Sequence, residues 1–358
     1  MPEKTPRDAT LDIMRGIGIS AVVLGHTGSG FNPFVYLFHV PLFFFSSGYF
    51  FKDAYLEKPL AFLWRRIKGL YVPYVACGLV ALALHNWLVT IHLYSPHANA
   101  PVGYLSHPAL WQAALQTVLF YHTELILAPL WFLPVLLTVS ALFFLARWLS
   151  IKMPGNGQAT LFLIVTALFA AGAELIHLGI VSRWLYPESL VAMLPFAAGY
   201  WAAKYKEAIA VTWQGAVGCF VLLIASLQFG GYLDLHSGHI VSPGYFLFGA
   251  LAGIYLCLCV ARALTRWRFT AWLGSAVGQA SLFILIGHIA SFKLLALIEL
   301  PAYHMPLDRL ADFAIPAGSP LPWFAYYAVV GVIVPLAVYL GYGELISRRR
   351  FTPARRAA

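Results

Sequence analysis

The chain has 358 residues, of which 61% are hydrophobic and only 10% carry a charge. Soluble domains carry about 25% charged residues, so this composition excludes an ordinary soluble protein and, with a mean hydropathy of +0.76, indicates a polytopic membrane protein. The net charge of +9 would suit a nucleic-acid-binding protein, but the basic residues are dispersed over loops between apolar segments, so we expect no nucleic-acid partner. The four cysteines lie inside apolar segments without metal-ligand spacing, so we expect no metal site.

Ten apolar segments of about 20 residues match the length needed to cross the hydrocarbon core of a bilayer. The predicted spans are residues 10–27, 34–51, 69–93, 129–149, 158–179, 184–203, 209–229, 243–264, 276–298 and 321–346. Residues 108–121 are apolar but too short to cross, and they predict a re-entrant or interfacial helix. The sequence therefore predicts an all-α, polytopic integral membrane protein with about ten transmembrane helices. Residues 1–347 form one predicted transmembrane domain, and residues 348–358 form a short basic tail.

The distribution of lysine and arginine orients these spans. With ten spans, 19 of the 23 basic residues fall on one side of the membrane. Counting residues 108–121 as an additional span would move twelve of those 19 residues to the other side. Because cytoplasmic loops are enriched in basic residues, the pattern favours ten spans, two cytoplasmic termini and a cytoplasmic basic tail.

The first span carries three ionisable residues, Asp12, Arg15 and His26. Arg15 and His26 are eleven residues apart, which on an α-helix is about 20° from whole turns and a rise of roughly 16–17 Å. Asp12 precedes Arg15 by three positions and shares its face, so it either pairs with Arg15 or orients a bound group. An arginine at the bilayer centre costs about 2.5–3.5 kcal/mol or more. This ionisable face therefore indicates a functional site.

The second span begins with His39, which a short loop places at a depth similar to that of His26. Two interpretations remain open at this stage. His39 belongs to the same site as His26, or it caps a helix while the small residues that follow, Ser46, Ser47 and Gly48, only pack against neighbouring helices.

Three cations, Arg65, Arg66 and Lys68, fall within four positions of the loop after the second span. A cluster of this kind can bind phosphate groups. The spacing alone favours ordinary enrichment of basic residues on the cytoplasmic side, with contacts to anionic lipids.

Five motifs occur in a fixed order along the chain. They are Asp-x-x-Arg-Gly at 12–16, Arg-x10-His at 15–26, His-x-Pro-Leu-Phe-Phe-Phe-x-Ser-Gly at 39–48, Arg-Arg-Ile-Lys-x-Leu-x-x-Pro-Tyr at 65–74 and Leu-Trp-Phe-Leu at 130–133. Together they resemble the membrane acyltransferase-3 family, and most closely its fucose-4-O-acetylase-like branch. The resemblance implies a ten-helix membrane enzyme that uses a cytoplasmic acyl donor, commonly acetyl-CoA, and acylates sugars on or near the outer face.

The resemblance also implies roles for individual residues. It makes Arg15 and His26 the essential catalytic pair, with His39 and Asp12 beside them. His26 acts either as a general base on a sugar hydroxyl or as the carrier of an acetyl group, and both mechanisms remain open. The basic loop is expected to bind the donor through Arg65, Arg66 and Lys68.

Four further residues are expected to bind the acceptor substrate. Trp131 belongs to the fourth-span motif, and His288 ends a stretch from Ser281 that resembles a late-span motif of the family. His122 and Glu124 lie in a predicted outer loop, residues 94–128, that contains no lysine or arginine.

The expected function is O-acetyl transfer to a cell-surface or exported polysaccharide, or to its lipid-linked precursor, in the inner membrane of a bacterium, surrounded by membrane lipids. One alternative is a multi-span transporter that uses intramembrane charges such as Glu174, Glu188 and Lys293, although no internal repeat typical of transporters is evident. The other alternative is a scaffold without chemistry, which leaves the face shared by Arg15 and His26 unexplained.

Overall fold

The computed structural model describes residues 8–180, 186–230 and 233–351. These ranges contain sixteen α-helices and no β-strand, which confirms the predicted all-α class. The helices are α1 (Ala9–Gly25), α2 (Asn32–Tyr36), α3 (His39–Tyr49), α4 (Pro59–Arg66), α5 (Val72–Ala83), α6 (His85–Thr90), α7 (His107–Val118), α8 (Phe132–Lys152), α9 (Gly157–His177), α10 (Pro187–Val191), α11 (Met193–Lys204), α12 (Trp213–Gly230), α13 (Pro243–Leu264), α14 (Arg268–Gln279), α15 (Ser281–Ala302) and α16 (Trp323–Phe351).

Six helical stretches in the described ranges are long and apolar enough to cross a membrane. They are Pro59–Ala83, Leu125–Lys152, Gly157–His177, Pro243–Leu264, Ser281–Ala302 and Trp323–Glu344. The other four predicted spans coincide with shorter or interrupted helices, so the count of ten remains a prediction. The second predicted span, for example, is divided between α2 and α3.

Three segments differ in extent from the sequence-based boundaries. The third predicted span, residues 69–93, begins ten residues earlier as the helical stretch Pro59–Ala83, which includes the residues predicted to form a basic loop. The ninth predicted span begins inside α14, and the helix is interrupted at Ala280 before α15 starts. The last helix, α16, continues to Phe351, so the predicted tail begins as helix. Residues 352–358 lie outside the described residues, as do the basic residues Lys4, Arg7 and Arg183 that entered the charge count.

The short apolar segment predicted at 108–121 is the helix α7, which has 12 residues. At 1.5 Å per residue it extends about 18 Å, which is well short of the hydrocarbon thickness of about 30 Å. Its length therefore agrees with a helix that does not cross the bilayer.

Helices α1 and α14 approach each other closely through glycines. A Cβ atom at Gly278 would overlap the backbone carbonyl oxygen of Asp12, and one at Gly16 would overlap the carbonyl oxygen of Gly274. Small residues at such positions let helix backbones pack together in a membrane, where packing replaces the hydrophobic effect between helices. This contact fixes the helix that carries Arg15 against the one that ends at Gln279.

Helices α3 and α11 also approach each other closely through glycines. A Cβ atom at Gly48 would overlap the Phe196 carbonyl oxygen, and one at Gly199 would overlap the Phe45 carbonyl oxygen. Gly48 belongs to the second-span motif, and a larger residue there would prevent this close packing. The contact holds α3, which begins at His39, in place.

We expect Gly278→Ala to lower the melting temperature of the purified protein, because the added methyl group forces α1 and α14 apart. Overpacking of this kind costs about 1–3 kcal/mol. Gly341→Ala in α16 is the matched control, because a Cβ atom there meets nothing within 4 Å and alanine favours helix over glycine by about 1 kcal/mol. Thermal unfolding in detergent measures both variants, and equal melting temperatures would contradict this account of the contact.

Candidate active site

A cavity of about 520 Å³ lies among α1, α3, α8, α14 and α15. Its volume falls within the range of about 300–1,000 Å³ that is typical of small-molecule sites. Four of the predicted site residues line it, namely Arg15, His26, His39 and Trp131. The structure thus brings together residues that lie more than a hundred positions apart in the sequence.

His26 is the C-cap residue of α1, so the helix ends at the imidazole ring. The ring nitrogen Nδ1 lies 2.9 Å from the Val22 carbonyl oxygen and donates its proton to it. That bond assigns the proton of the neutral ring to Nδ1 and leaves the lone pair on Nε2 available as a base or nucleophile. The ring also lies at the carbonyl end of α1, where the helix dipole favours positive charge.

His39 repeats this arrangement at the start of α3. Its Nδ1 donates to the Val35 carbonyl oxygen at 2.7 Å, and the ring packs against Tyr36 with centroids 4.7 Å apart. The side chain is buried and also lines the cavity. His39 therefore presents a second Nε2 to the site in a defined orientation.

His288 lies beside His26, with ring centroids 5.1 Å apart. Its Nδ1 donates to the carbonyl oxygens of Ile284 and Leu285, which lie 2.9 Å and 3.0 Å away. The ring is fully buried, and its Nε2 has no hydrogen-bond partner among the residues that the structure describes. Such a buried unsatisfied nitrogen is unusual, and here it adjoins the ring of His26.

Arg15 and Asp12 lie on the same helix but have different surroundings. The Arg15 guanidinium lies over the Phe50 ring, 5.4 Å from its centroid. The buried Asp12 carboxylate accepts a hydrogen bond of 3.0 Å from the Gln279 side-chain amide, and Gln279 lines the cavity. Asp12 therefore positions Gln279 at the site, whereas a pair between Asp12 and Arg15 stays a prediction.

The three cations predicted in a loop lie on a helix instead, because Arg65 and Arg66 end α4 and Lys68 lies in the π-helical turn that follows. Arg66 donates to the Ser47 hydroxyl at 3.0 Å, and its charge interacts with that of Arg15. A π-helical turn, Ile67–Tyr71, follows and places Gly69 and Leu70 in the cavity wall. Turns of this type often occur at functional sites.

The other two cations of this helical segment, Arg65 and Lys68, have separate partners. Arg65 donates to the Tyr55 hydroxyl at 2.8 Å, and the Lys68 ammonium lies 5.0 Å from the centroid of the Trp64 ring. Both side chains are exposed. Arg66 therefore lies at the same end of α3 as Arg15, because its partner Ser47 and the Phe50 ring beneath Arg15 are three residues apart.

His122 and Glu124 lie in a separate cluster that does not line the cavity. The buried Glu124 carboxylate receives hydrogen bonds from His122 Nε2 at 3.1 Å and from His85 Nδ1 at 3.0 Å. Burial by itself would raise the pKa of Glu124, but these hydrogen bonds hold it below its usual value. Substrate binding by His122 and Glu124 stays a prediction, and in the structure Glu124 is the common hydrogen-bond partner of His122 and His85.

Three residues that line the cavity were not singled out from the sequence: Asp234, His236 and Gln279. Asp234 and His236 lie in the loop between α12 and α13. The signal for this loop is a polar Asp-Leu-His-Ser-Gly-His run set between two apolar spans. Gln279 is the one amide at the junction of α14 and α15, just before Ser281, which also faces the cavity.

Across residues 8–180, 186–230 and 233–351, no cluster of three or more histidine, cysteine, aspartate or glutamate side chains is arranged to hold a metal ion.

Comparison with known families adds one result to this geometry. A family model described as an acyltransferase domain matches residues 8–341, which includes every residue of the cavity. Among curated proteins and solved structures, none matches the chain. The family match and the long apolar helices agree with the motifs in the sequence. The chain therefore belongs to the acyltransferase-3 family, and it is a multi-pass membrane acyltransferase.

Proposed function

We propose that this protein transfers an acetyl group from cytoplasmic acetyl-CoA to a hydroxyl group of a sugar. The observation that carries the proposal is that Arg15 and His26 line one cavity from a single helix, with Nε2 of His26 left unprotonated. An anion-binding group and a base held about 16–17 Å apart along a helix suit a long anionic thioester donor and a neutral hydroxyl acceptor.

The donor-binding residues in this proposal are Arg15, Arg66 and the cations around them. Guanidinium groups bind phosphate through two parallel hydrogen bonds and stay charged when partly buried. The close placement of Arg15 and Arg66 at the end of α3 concentrates positive charge beside the cavity, which fits a donor with several phosphates. Acetyl-CoA, as a substrate, supplies the thioester carbonyl that is attacked.

In the proposed reaction, His26 Nε2 removes the proton from the sugar hydroxyl while the hydroxyl oxygen attacks the acetyl carbonyl carbon. A carbon–oxygen bond forms, the carbon–sulfur bond breaks, and the leaving thiolate takes the proton from the His26 imidazolium, which returns the ring to its neutral form. The products are an O-acetyl sugar and free CoA. The carbonyl end of α1 stabilises the imidazolium during this step, and Asp12 keeps Gln279 in place beside it.

The arrangement of other charges favours an enzyme over a transporter. Lys293 donates to the Asp312 backbone carbonyl, and the Tyr327 hydroxyl donates to Glu299, both away from the cavity. Glu174 is exposed on the surface of α9. These charges therefore do not converge with Arg15 on a common path, as a substrate pathway through a transporter requires.

We further propose that the acceptor is a cell-surface or exported polysaccharide, or its lipid-linked precursor, and that the protein resides in the inner membrane of a bacterium with both termini in the cytoplasm. The distribution of basic residues supports this orientation. In this proposed orientation, His26 at the end of α1 lies toward the outer face, and Arg65, Arg66 and Lys68 lie toward the cytoplasm.

We expect His26→Ala and Arg15→Ala each to abolish acetylation of surface polysaccharide in a deletion strain that the wild-type protein restores. Loss of a general base lowers the rate by about 10²–10⁴-fold, which would leave little acetate to detect. The measurement is the acetate content of the polysaccharide, with the amount of each variant in the membrane checked.

His177→Ala and Arg266→Ala are matched controls, because both side chains are exposed and lie outside the cavity. They should restore acetate as well as the wild type does. Full restoration by His26→Ala would contradict the proposed mechanism, and unchanged acetate in the deletion strain would contradict the proposed acceptor.

We expect Arg66→Gln to weaken binding of acetyl-CoA to the purified protein by about tenfold or more, because a charge-assisted hydrogen bond to phosphate contributes about 1.5–3 kcal/mol. Direct calorimetric titration with acetyl-CoA measures this without any acceptor. Lys152→Gln, which removes an exposed charge elsewhere, should bind acetyl-CoA with unchanged affinity. Wild-type affinity in Arg66→Gln would remove this residue from the donor site.

A further inference from the structure

The loop between α12 and α13 folds into a tight turn that faces the cavity. Asp234 and His239 exchange two backbone hydrogen bonds of 2.9 Å and 2.8 Å. Within the turn, the His236 backbone N–H donates to Asp234 Oδ1 at 3.0 Å. These bonds hold the loop in one shape, so the side chains that it presents to the cavity are preorganised.

His236 and Trp131 form an aromatic wall on this side of the cavity. Their rings stack with centroids 4.7 Å apart and planes 27° apart, and both residues line the cavity. Trp131 comes from the 3-10 segment Leu125–Trp131, so the wall joins two elements that are distant in sequence. Aromatic faces suit the apolar C–H face of a sugar ring, because they bury it without offering competing hydrogen bonds.

Asp234 supplies the one carboxylate among the described residues that line the cavity. Its negative charge acts on both His26 and His39, which places it beside the histidines. No lysine or arginine in the described part of the chain forms an ion pair with it. The carboxylate is thus available to accept hydrogen bonds from hydroxyl groups of a bound molecule.

We propose that Trp131, His236 and Asp234 form the acceptor subsite, and that it takes a single uncharged or amino-substituted sugar ring and rejects uronic acids. The inference rests on the proposed function and adds the class of acceptor to it. Trp131 and His236 bury the apolar face of the ring, and Asp234 accepts hydrogen bonds from its hydroxyl edge. A carboxylate on the ring would face Asp234 at short range, and such a like-charge contact costs several kcal/mol.

This subsite also explains how one hydroxyl reaches the base. Asp234 holds the ring from the side of the histidines, so a neighbouring hydroxyl is directed toward Nε2 of His26. Asp234 is a binding residue in this scheme, and the proton moves to His26 alone. Removal of the Asp234 charge should therefore affect the KM for the acceptor and the choice of acceptor more than the binding of the donor.

The test uses the purified full-length protein in lipid nanodiscs with radiolabelled acetyl-CoA. Acceptors are matched pairs of methyl glycosides and methyl uronosides of glucose, galactose and mannose, together with methyl glucosaminide. For the wild type we expect transfer to at least one neutral or amino glycoside, with kcat/KM at least tenfold above that of any uronoside. For Asp234→Asn we expect the KM for the neutral glycoside to rise about tenfold and the discrimination against its matched uronoside to fall about tenfold.

Two control variants and two further test variants separate binding from folding. Asp308→Asn removes an exposed acid outside the cavity, and Trp111→Leu removes an exposed tryptophan of α7, so both should behave as the wild type does. Trp131→Leu should raise the KM for the acceptor as Asp234→Asn does. His236→Gln changes a second subsite residue in the same loop as Asp234, and it should also raise the KM for the acceptor. An unchanged Kd for acetyl-CoA shows that each variant is folded.

Several results would overturn the inference. They are a wild type that prefers uronosides, an Asp234→Asn protein with unchanged acceptor KM and unchanged discrimination, and a wild type that restores acetate in cells but uses no monosaccharide glycoside. In the last case the proposed function stands and the single-ring subsite fails. A wild type that neither restores acetate in cells nor transfers it to any glycoside overturns both.

Discussion

The hydrogen bond from His26 Nδ1 to the Val22 carbonyl sets the chemistry of the whole cavity. In an apolar helix bundle, polar groups must find partners within the protein, because no surrounding solvent satisfies them. A histidine that donates to the carbonyl four residues earlier meets this requirement and fixes its own tautomer. His39 and His288 each make a hydrogen bond of the same kind, so all three imidazoles carry their proton on Nδ1.

Two close helix contacts fix the helices that carry His26 and His39. The glycines between α1 and α14 bring the Arg15 helix against Gln279, and those between α3 and α11 fix the helix that begins at His39. Backbone contacts of this kind are rigid, since they leave no side chain that could change its rotamer. The break at Ala280 then turns the chain so that Gln279 and Ser281, on either side of it, both face the cavity.

The cavity is asymmetric in charge. Arg15, with Arg66 near it, supplies positive charge, while Asp234 supplies negative charge beside the histidines. Phosphate groups would be attracted to the arginines, whereas the Asp234 carboxylate can accept hydrogen bonds from the hydroxyl groups of an uncharged molecule. His26 lines the cavity together with Arg15 and Asp234.

The sequence by itself determined the membrane-protein class, the all-α fold, the family, and the common face of Arg15 and His26. These follow from composition, local hydropathy and the period of the α-helix, which act over short stretches of chain. Local pattern could not reveal that the second and ninth predicted spans are interrupted. At the break in the second span, Leu37 and Phe38 lie against Gly249 and Gly253 of the distant helix α13.

Only the tertiary structure decided which loops reach the cavity. It placed Asp234 and His236 in the cavity wall with Trp131, and it gave His122 and His85 a common partner in Glu124. Both loops carry histidine and carboxylate side chains between apolar spans, and the sequence offers no local rule that separates one from the other. The difference arises from long-range packing, because the position of a loop is set by the helices that it joins and by the neighbours of those helices.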